Sequence, residues 1–180
     1  YAASKEGSIV PVVMPIGFKS EKESFIAKVL KYLSKSGSRK EFEDIFFDGD
    51  FLHTMNHIQA GEFYPAFEAT RLAPSSRNLQ PWRIVKDGDA FHFYKYCTGA
   101  HRGEFDLGEV DMGIAMCHFA LAAADAGFEG EFFTAEKHPD GGQQLDYVAT
   151  FTPSKAEIII ETEIIETEII DTEEVPDEPN

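Results

Sequence analysis

Cysteine, basic side chains and long apolar runs are all scarce in this chain of 180 residues. Cys97 and Cys117 are the only cysteines, so the sequence lacks the dense disulfide framework of small secreted domains. No run of about eighteen apolar residues occurs, and the sequence therefore predicts no membrane span. No secretory signal peptide is recognisable. These absences predict a reduced, cytoplasmic protein. Cys117 lies in an apolar helical run, which predicts that its thiol is buried.

The shortage of positive charge is uneven along the chain. The formal net charge is −16, and residues 157–180 contain ten acidic residues and no Lys or Arg. In this segment the pentad Ile-Ile-Glu-Thr-Glu repeats, and a period of five collects its isoleucines on no single face of a helix or strand. We therefore predict a domain over residues 1–156 and a disordered acidic low-complexity tail over residues 157–180. Because no basic surface is evident, we expect no nucleic-acid partner.

The sequence also lacks the common catalytic and ligand-binding motifs. We find no Ser/His/Asp constellation, no GxGxxG or Walker loop and no Cys/His metal pattern. His53 and His57 are four residues apart, but no third metal ligand is evident near them. We therefore assign neither a catalytic side chain nor a metal ligand. The chemistry of an enzyme of this kind would come from a bound cofactor.

One polar stretch, residues 71–83, stands out between a helical pattern and a strand-like run. Its two prolines restrict the backbone on either side of a short loop. Hydroxyl and amide side chains between them supply both donors and acceptors. An ordinary polar turn is the alternative interpretation, since the same residue types dominate turns. The loop residues that could contact a ligand are Pro74, Ser75, Ser76, Asn78 and Gln80.

Three stretches together resemble one known family. The string Pro-Ser-Ser-x-Asn-x-Gln-Pro-Trp at residues 74–82 resembles the signature of the FMN-dependent nitroreductase superfamily. Residues 111–118, Asp-Met-Gly-Ile-Ala-Met-Cys-His, are similar to the helix that packs behind the flavin in that family. Residues 10–18 are similar to one of its core strands. The closest subgroup contains two tandem half-repeats in one chain, and this sequence resembles the end of the first half followed by the second.

The resemblance implies a fold, a cofactor and a reaction. The fold would be α+β, with a central, mostly antiparallel sheet packed with helices, and partial here because the chain resembles an N-terminally truncated member. FMN would bind Pro74, Ser75, Ser76, Asn78 and Gln80, with Trp82 anchoring the loop in the core. Hydride would pass from NAD(P)H through the flavin to a nitro compound, quinone or similar small acceptor. The alternative is a non-catalytic flavin-fold half, or an interaction subunit, that completes a partner's site.

The resemblance also implies a second half of the fold, supplied by a homodimer or by a pseudo-dimer with the N-terminal half. The family's N-terminal Arg/Ser motif, which grips the FMN phosphate, is not recognisable, so we expect this chain to bind FMN weakly. A locally basic stretch over residues 31–40 allows two interpretations. One is a phosphate site involving Lys35, Arg39 and Lys40, and the other, which we favour, is a solvated helix end. Arg71 and Arg83 could be structural.

Local patterns predict most of the secondary structure. The prolines, turn residues and apolar periodicity favour three helices and five strands. Residues 41–51 should form a connecting segment that places aromatic side chains in the core. Residues 109–127 should form a helix that is buried on most sides. The predicted strands are residues 9–16, 82–86, 90–96, 130–137 and 145–151, and the other predicted helices are residues 21–33 and 65–72.

Overall fold

The computed structural model describes residues 37–97 and 106–155, together with Phe18. The predicted strand at residues 9–16, the predicted helix at residues 21–33 and the predicted tail at residues 157–180 lie outside these residues. The described part of the chain is a five-stranded sheet with helices packed on one face. This confirms the predicted α+β fold class.

The sheet has the strand order β1-β2-β3-β5-β4. Strand β1 pairs with β2 in parallel, and the other three pairs are antiparallel. The sheet is therefore mostly antiparallel, as the sequence predicts. Strand β4 starts two residues earlier than predicted and β5 runs four residues further. The strands are β1 (Phe46–Asp48), β2 (Trp82–Asp87), β3 (Ala90–Tyr96), β4 (Phe128–Phe133) and β5 (Leu145–Lys155).

Asp87-Gly88 between two β-prone runs predicts a hairpin, and the structure confirms it. Asp87 pairs with Ala90, which leaves Gly88 and Asp89 as a two-residue loop between β2 and β3. Gly88 adopts a left-handed φ of 58°. Tight hairpin turns need such positive φ values, and glycine adopts them without a steric penalty.

Residues 41–51 are more than the connecting segment that the sequence predicts. They contain a short 3-10 turn, Phe42–Asp44, and the edge strand β1, in which Phe46 pairs with Ile84. Phe42 and Phe46 are buried, so the predicted contribution of aromatic side chains to the core is confirmed. The strand was missed because three residues are too few to show a period.

Two α-helices pack against the sheet. Helix α1 (Tyr64–Leu72) has a proline in its first turn. Its sequence predicts that Phe67 and Leu72 point inward; Phe67 is buried, but Leu72 is 48% exposed, so the prediction is wrong for Leu72. Helix α2 (Leu107–Asp125) begins two residues earlier than predicted, because the Asp106 carboxylate accepts a hydrogen bond from the backbone N–H of Gly108. That bond satisfies one of the unpaired donors at the helix start.

Phenylalanine rings fill the space between the helices and the sheet. The Phe119 ring of α2 lies 5.5 Å from that of Phe67 on α1, 5.1 Å from that of Phe91 on β3 and 5.4 Å from that of Phe151 on β5. Such edge-on and tilted contacts add to the free energy gained by burying the rings. The core therefore holds both helices against the central strands.

Helix α2 is buried along one face only, so the prediction of burial on most sides is wrong. Met112, Ala115 and Phe119 face the core, whereas Cys117 and Leu121 are exposed. The prediction of a buried Cys117 thiol is therefore also wrong. Composition could not reveal this, because apolar residues lie all round the helix. By length and composition alone α2 could also cross a membrane, a property that core helices share.

Candidate functional site

The backbone of the polar loop between α1 and β2 is unusual. Arg77, Asn78 and Gln80 have φ values of 51°, 56° and 48°, all in the left-handed region. Each non-glycine residue in this region costs about 1–2 kcal/mol. Such a conformation persists only where the surroundings hold it, and it is concentrated at functional sites.

Hydrogen bonds from Gln80 hold much of this conformation. The side chain is 3% exposed, and its Oε1 accepts from the backbone N–H of Lys40 at 2.8 Å. Its Nε2 donates to the backbone carbonyl and to Oδ1 of Asn78 at 3.1 and 3.2 Å. The backbone N–H of Gln80 donates to Oγ of Ser75 at 2.9 Å. Gln80 therefore ties the loop to itself and to the segment before β1.

The side chain of Asn78 is also engaged within the chain. Its Oδ1 accepts from Nη1 of Arg39 at 3.1 Å, and its Nδ2 donates to the carbonyl of Ser38 at 3.0 Å. Asn78 and Gln80 could contact a cofactor only by sharing or exchanging these bonds. Their predicted roles in cofactor binding stay predictions.

The serines of the loop retain more hydrogen-bonding capacity. Ser75 Oγ accepts one hydrogen bond from Gln80 and keeps its own hydrogen for donation. Within residues 37–97 and 106–155, the hydroxyl of Ser76 has no hydrogen-bond partner, while the Ser76 backbone N–H donates to Asp111 Oδ1 at 2.9 Å. Asp111 is buried on α2, and burial raises the pKa of its carboxyl. The loop is thereby fastened to the start of α2.

Cations surround the root of the loop. Arg71 forms a two-bond salt bridge with Glu68, with both N–O distances at 2.7 Å, and donates to the carbonyl of Lys40 at 3.1 Å. Arg83 donates from Nη1 to the carbonyls of Trp82 at 2.6 Å and Gln80 at 3.2 Å. Both arginines thus brace the backbone, in line with the structural role that the sequence left open for them.

Comparison with known proteins identifies the family. The family model described as "Putative TM nitroreductase" matches residues 4–123, which is two thirds of the chain. The chain belongs to this nitroreductase family. The match includes the polar loop and most of α2. No curated protein matches the chain.

Two solved structures resemble this nitroreductase-family chain. One is a "putative nitroreductase" from Thermotoga maritima MSB8, with 20% sequence identity and a TM-score of 0.42 over 64% of this chain. The other is a nitroreductase family protein from Clostridium novyi NT, with 14% identity and a TM-score of 0.45 over 70% of this chain. The chain spans 41% of the Thermotoga protein and 86% of the Clostridium protein.

Trp82 closes the loop on the core side. It is fully buried, as expected of an anchor, at the start of β2. Among the described residues, its Nε1 is a buried side-chain polar atom without a hydrogen-bond partner. Such a group costs about 1–3 kcal/mol. The packing of the indole ring evidently outweighs that penalty.

The predicted loop residues therefore lie together, but their side chains differ in what they can offer a ligand. Ser75 and Ser76 have spare capacity, whereas Asn78 and Gln80 maintain the loop. The sequence also missed the role of Asp111 in holding the nitroreductase loop. The sequence feature that could have indicated this role is an acidic residue near the start of a largely apolar helical run.

The two histidines that raised the question of a metal site lie in irregular backbone rather than on a helix. His53 Nδ1 lies 2.7 Å from Asp50 Oδ1, and the ring of His57 lies near that of Tyr64. Among the described residues, no group of three potential metal ligands occurs. His53 instead stabilises a turn before Met55.

Proposed function

We propose that this chain is part of an FMN-dependent oxidoreductase that passes hydride from NAD(P)H through the flavin to a nitro compound, quinone or similar small acceptor. The family match that includes the polar loop carries this proposal. The left-handed backbone at Arg77, Asn78 and Gln80 supports it, because strained loops that are held by several hydrogen bonds are concentrated at ligand sites.

The polar groups of the loop fit a flavin ring. The pyrimidine edge of a flavin alternates carbonyls and N–H groups, and a hydroxyl can both donate to the former and accept from the latter. We assign direct contacts to the hydroxyls of Ser75 and Ser76, next to Pro74. Asn78 and Gln80 would act mainly by holding the loop in shape. FMN, when bound, supplies the hydride chemistry, and these residues bind and orient it.

The exposed face of α2 supports a second half for this site. Gly113, Cys117 and Leu121 are exposed on one side of the helix, and Ile114 is half-buried beside them. Apolar helix faces of this kind are typical of protein interfaces. We propose that a second copy of this chain, or the other half of a tandem protein, covers this face and completes the flavin site. We further expect a cytoplasmic setting, where NAD(P)H is available.

The affinity of the Ser76→Ala variant for FMN, compared with that of the unaltered chain, tests the proposal. The Ser76 hydroxyl has no partner among the described residues, so its removal should leave the fold intact. Losing one hydrogen bond to FMN should weaken binding by about 0.5–1.5 kcal/mol. The measurement is a titration with FMN followed by flavin fluorescence, with NADH and NADPH oxidation assayed in the presence of a quinone.

Ser154→Ala is the matched control, because Ser154 lies on β5, away from the loop, and its hydroxyl donates to the carbonyl of Glu129. It should bind FMN as the unaltered chain does. Equal weakening in both variants would remove the loop from the site. Failure of the unaltered protein to bind FMN or riboflavin at all would refute the proposed function itself.

A further inference from the structure

Two cationic side chains converge on one backbone oxygen beside the polar loop. Lys40 Nζ lies 3.4 Å from the carbonyl oxygen of Gln80, and Arg83 Nη1 lies 3.2 Å from the same atom. Both side chains are half-buried. A carbonyl oxygen carries only a partial negative charge, so it does not neutralise two full positive charges.

Carboxylates do not compensate this pair at short range. Within residues 37–97 and 106–155, neither Lys40 nor Arg83 has a carboxylate oxygen within 4.0 Å, whereas the neighbouring Arg71 is paired with Glu68. Asp44 interacts with both cations only at longer range. Burial, and to a smaller extent repulsion from Arg83, lowers the pKa of Lys40 to about 8, while Asp44 opposes this shift. In a chain with a net charge of −16, such a cationic pair is unusual.

The pair also has unused hydrogen-bond donors. Arg83 uses Nη1 for the carbonyls of Gln80 and Trp82, which leaves Nε and Nη2 without partners among the described residues. Among the described residues, the Lys40 ammonium makes a single long hydrogen bond, and it has three hydrogens. The guanidinium carbon lies 5.4 Å from the centre of the Tyr96 ring, which restricts the orientation of the guanidinium plane. Lys40 and Arg83 therefore hold their donors close to the same backbone oxygen.

We propose that Lys40 and Arg83 form a binding site for a phosphate monoester. Two positive charges match a phosphate dianion, and the flat guanidinium edge can bind two of its oxygens at once. Burying two positive charges without an anion costs free energy, and a bound phosphate would compensate these charges. Lys40 gains this capacity because folding brings it next to Arg83, 43 positions further along the sequence.

This site does not depend on the proposed flavin chemistry, although both FMN and the 2′-phosphate of NADPH are phosphate monoesters. Inorganic phosphate is therefore the first probe. We expect phosphate to bind the full chain at constant ionic strength, with binding followed by ³¹P NMR line broadening. Lys40→Met should weaken binding by about tenfold or more, the usual effect of losing a charged hydrogen-bond partner.

Lys40→Met keeps the backbone N–H that donates to Gln80 Oε1, so the loop should remain tied. Lys86→Met is the matched control, since Lys86 lies on the same strand as Arg83 and its Nζ donates to the carbonyl of Gln59. It should leave phosphate affinity unchanged. No phosphate binding by the unaltered chain, or equal weakening by both substitutions, would overturn the proposal.

Arg83→Lys provides a second variant if Lys40→Met does not fold. It keeps the charge but loses the planar pair of donors, so phosphate affinity should still fall severalfold. Unchanged affinity would contradict the site. Comparing FMN with riboflavin, and NADPH with NADH, then identifies the source of the phosphate. A Lys40-dependent preference for FMN assigns the flavin phosphate to the site, and one for NADPH assigns the 2′-phosphate.

Discussion

At the scale of single residues, some side chains of the polar loop hold its conformation and others are available to a ligand. Asn78 illustrates this, because it combines a left-handed backbone with side-chain bonds to Arg39, Gln80 and Ser38. Asparagine tolerates the left-handed region better than most residues do. Its amide also joins the loop to the segment before β1. The residue is therefore suited to its position on two separate physical grounds.

Two substitutions at position 78 distinguish the effect of the backbone conformation from that of the side-chain hydrogen bonds. Asn78→Gly loses the side-chain bonds but relieves the backbone, whereas Asn78→Ala loses the bonds and keeps the left-handed strain. We expect both variants to be less stable than the unaltered chain, and the alanine variant to be worse by about 0.5–1 kcal/mol. Urea denaturation measures the difference. An alanine variant as stable as the glycine variant would show that the loop relaxes.

A buried histidine lies on the sheet face opposite the helices. His92 is 5% exposed, and its Nδ1 lies 2.7 Å from Oγ1 of Thr150 on the neighbouring strand. Burial lowers the pKa of His92, with a smaller contribution from His138 and an opposing one from Asp87. Below the unfolded-state pKa of about 6.5, the unfolded chain therefore binds the proton more readily than the folded one.

The expected consequence is a loss of stability as pH falls through and below about 6.5. His92→Gln retains a hydrogen-bonding side chain without a titrating ring, so its stability should depend less on pH across that range. His57→Gln, at an exposed position, should keep the pH dependence of the unaltered chain. Denaturation curves at pH 7.5 and 5.5 compare the three proteins. Parallel curves for His92→Gln and the unaltered chain would show that other groups dominate.

At the scale of elements, a glycine in strand β4 and a glycine in helix α2 differ in the space around them. A Cβ atom on Gly130 would lie 2.5 Å from the ring of Phe151 and 2.7 Å from the carbonyl oxygen of Thr152, so β4 can lie against β5 only without a side chain there. Gly113, in the middle of α2, has nothing within 4 Å of the corresponding point. The first glycine is required by packing and the second is not.

Alanine substitutions at these positions should therefore change stability in opposite directions. Gly130→Ala forces the Phe151 ring or the β4 backbone to move and should destabilise the fold by about 1–3 kcal/mol. Gly113→Ala should stabilise it by about 0.5–1 kcal/mol, because alanine favours helix. Thermal unfolding checks both. Destabilisation by Gly113→Ala at a concentration where the chain is monomeric would contradict this expectation.

At the scale of the whole molecule, the two sides of α2 differ most in how far their apolar side chains are buried. One side contributes Phe119 to the aromatic core, and the other leaves Leu121 67% exposed. Because composition is apolar on both sides, the helix has enough apolar surface for a second packing partner.

We expect the chain on its own to self-associate through this face. Leu121→Arg places a charge where apolar surface would be buried and should shift the protein toward monomer in analytical ultracentrifugation. Leu52→Arg changes an equally apolar, 87% exposed residue in the turn after β1 and should leave the association unchanged. A chain that is monomeric without substitution, or that is affected equally by both changes, would contradict this expectation.

Local sequence determined much of this structure. Asp87-Gly88 between two β-prone runs specified the hairpin, a proline and periodic apolar residues specified α1, and the spacing of the prolines located the polar loop. These features depend on turn preferences and on side-chain periods that a few neighbouring residues set. For the same reason the loop containing Ser75 and Ser76 could be proposed as a binding element from the sequence alone.

Tertiary structure decided what depends on distant parts of the chain. The three residues of β1 become a strand because β2 lies beside them, and Cys117 is exposed because the sheet covers only the other side of α2. The amides of Asn78 and Gln80 are engaged because residues 38–40 pack against the loop. Lys40 meets Arg83 for the same reason. No local pattern encodes these contacts, because they arise only when segments far apart in sequence share one core.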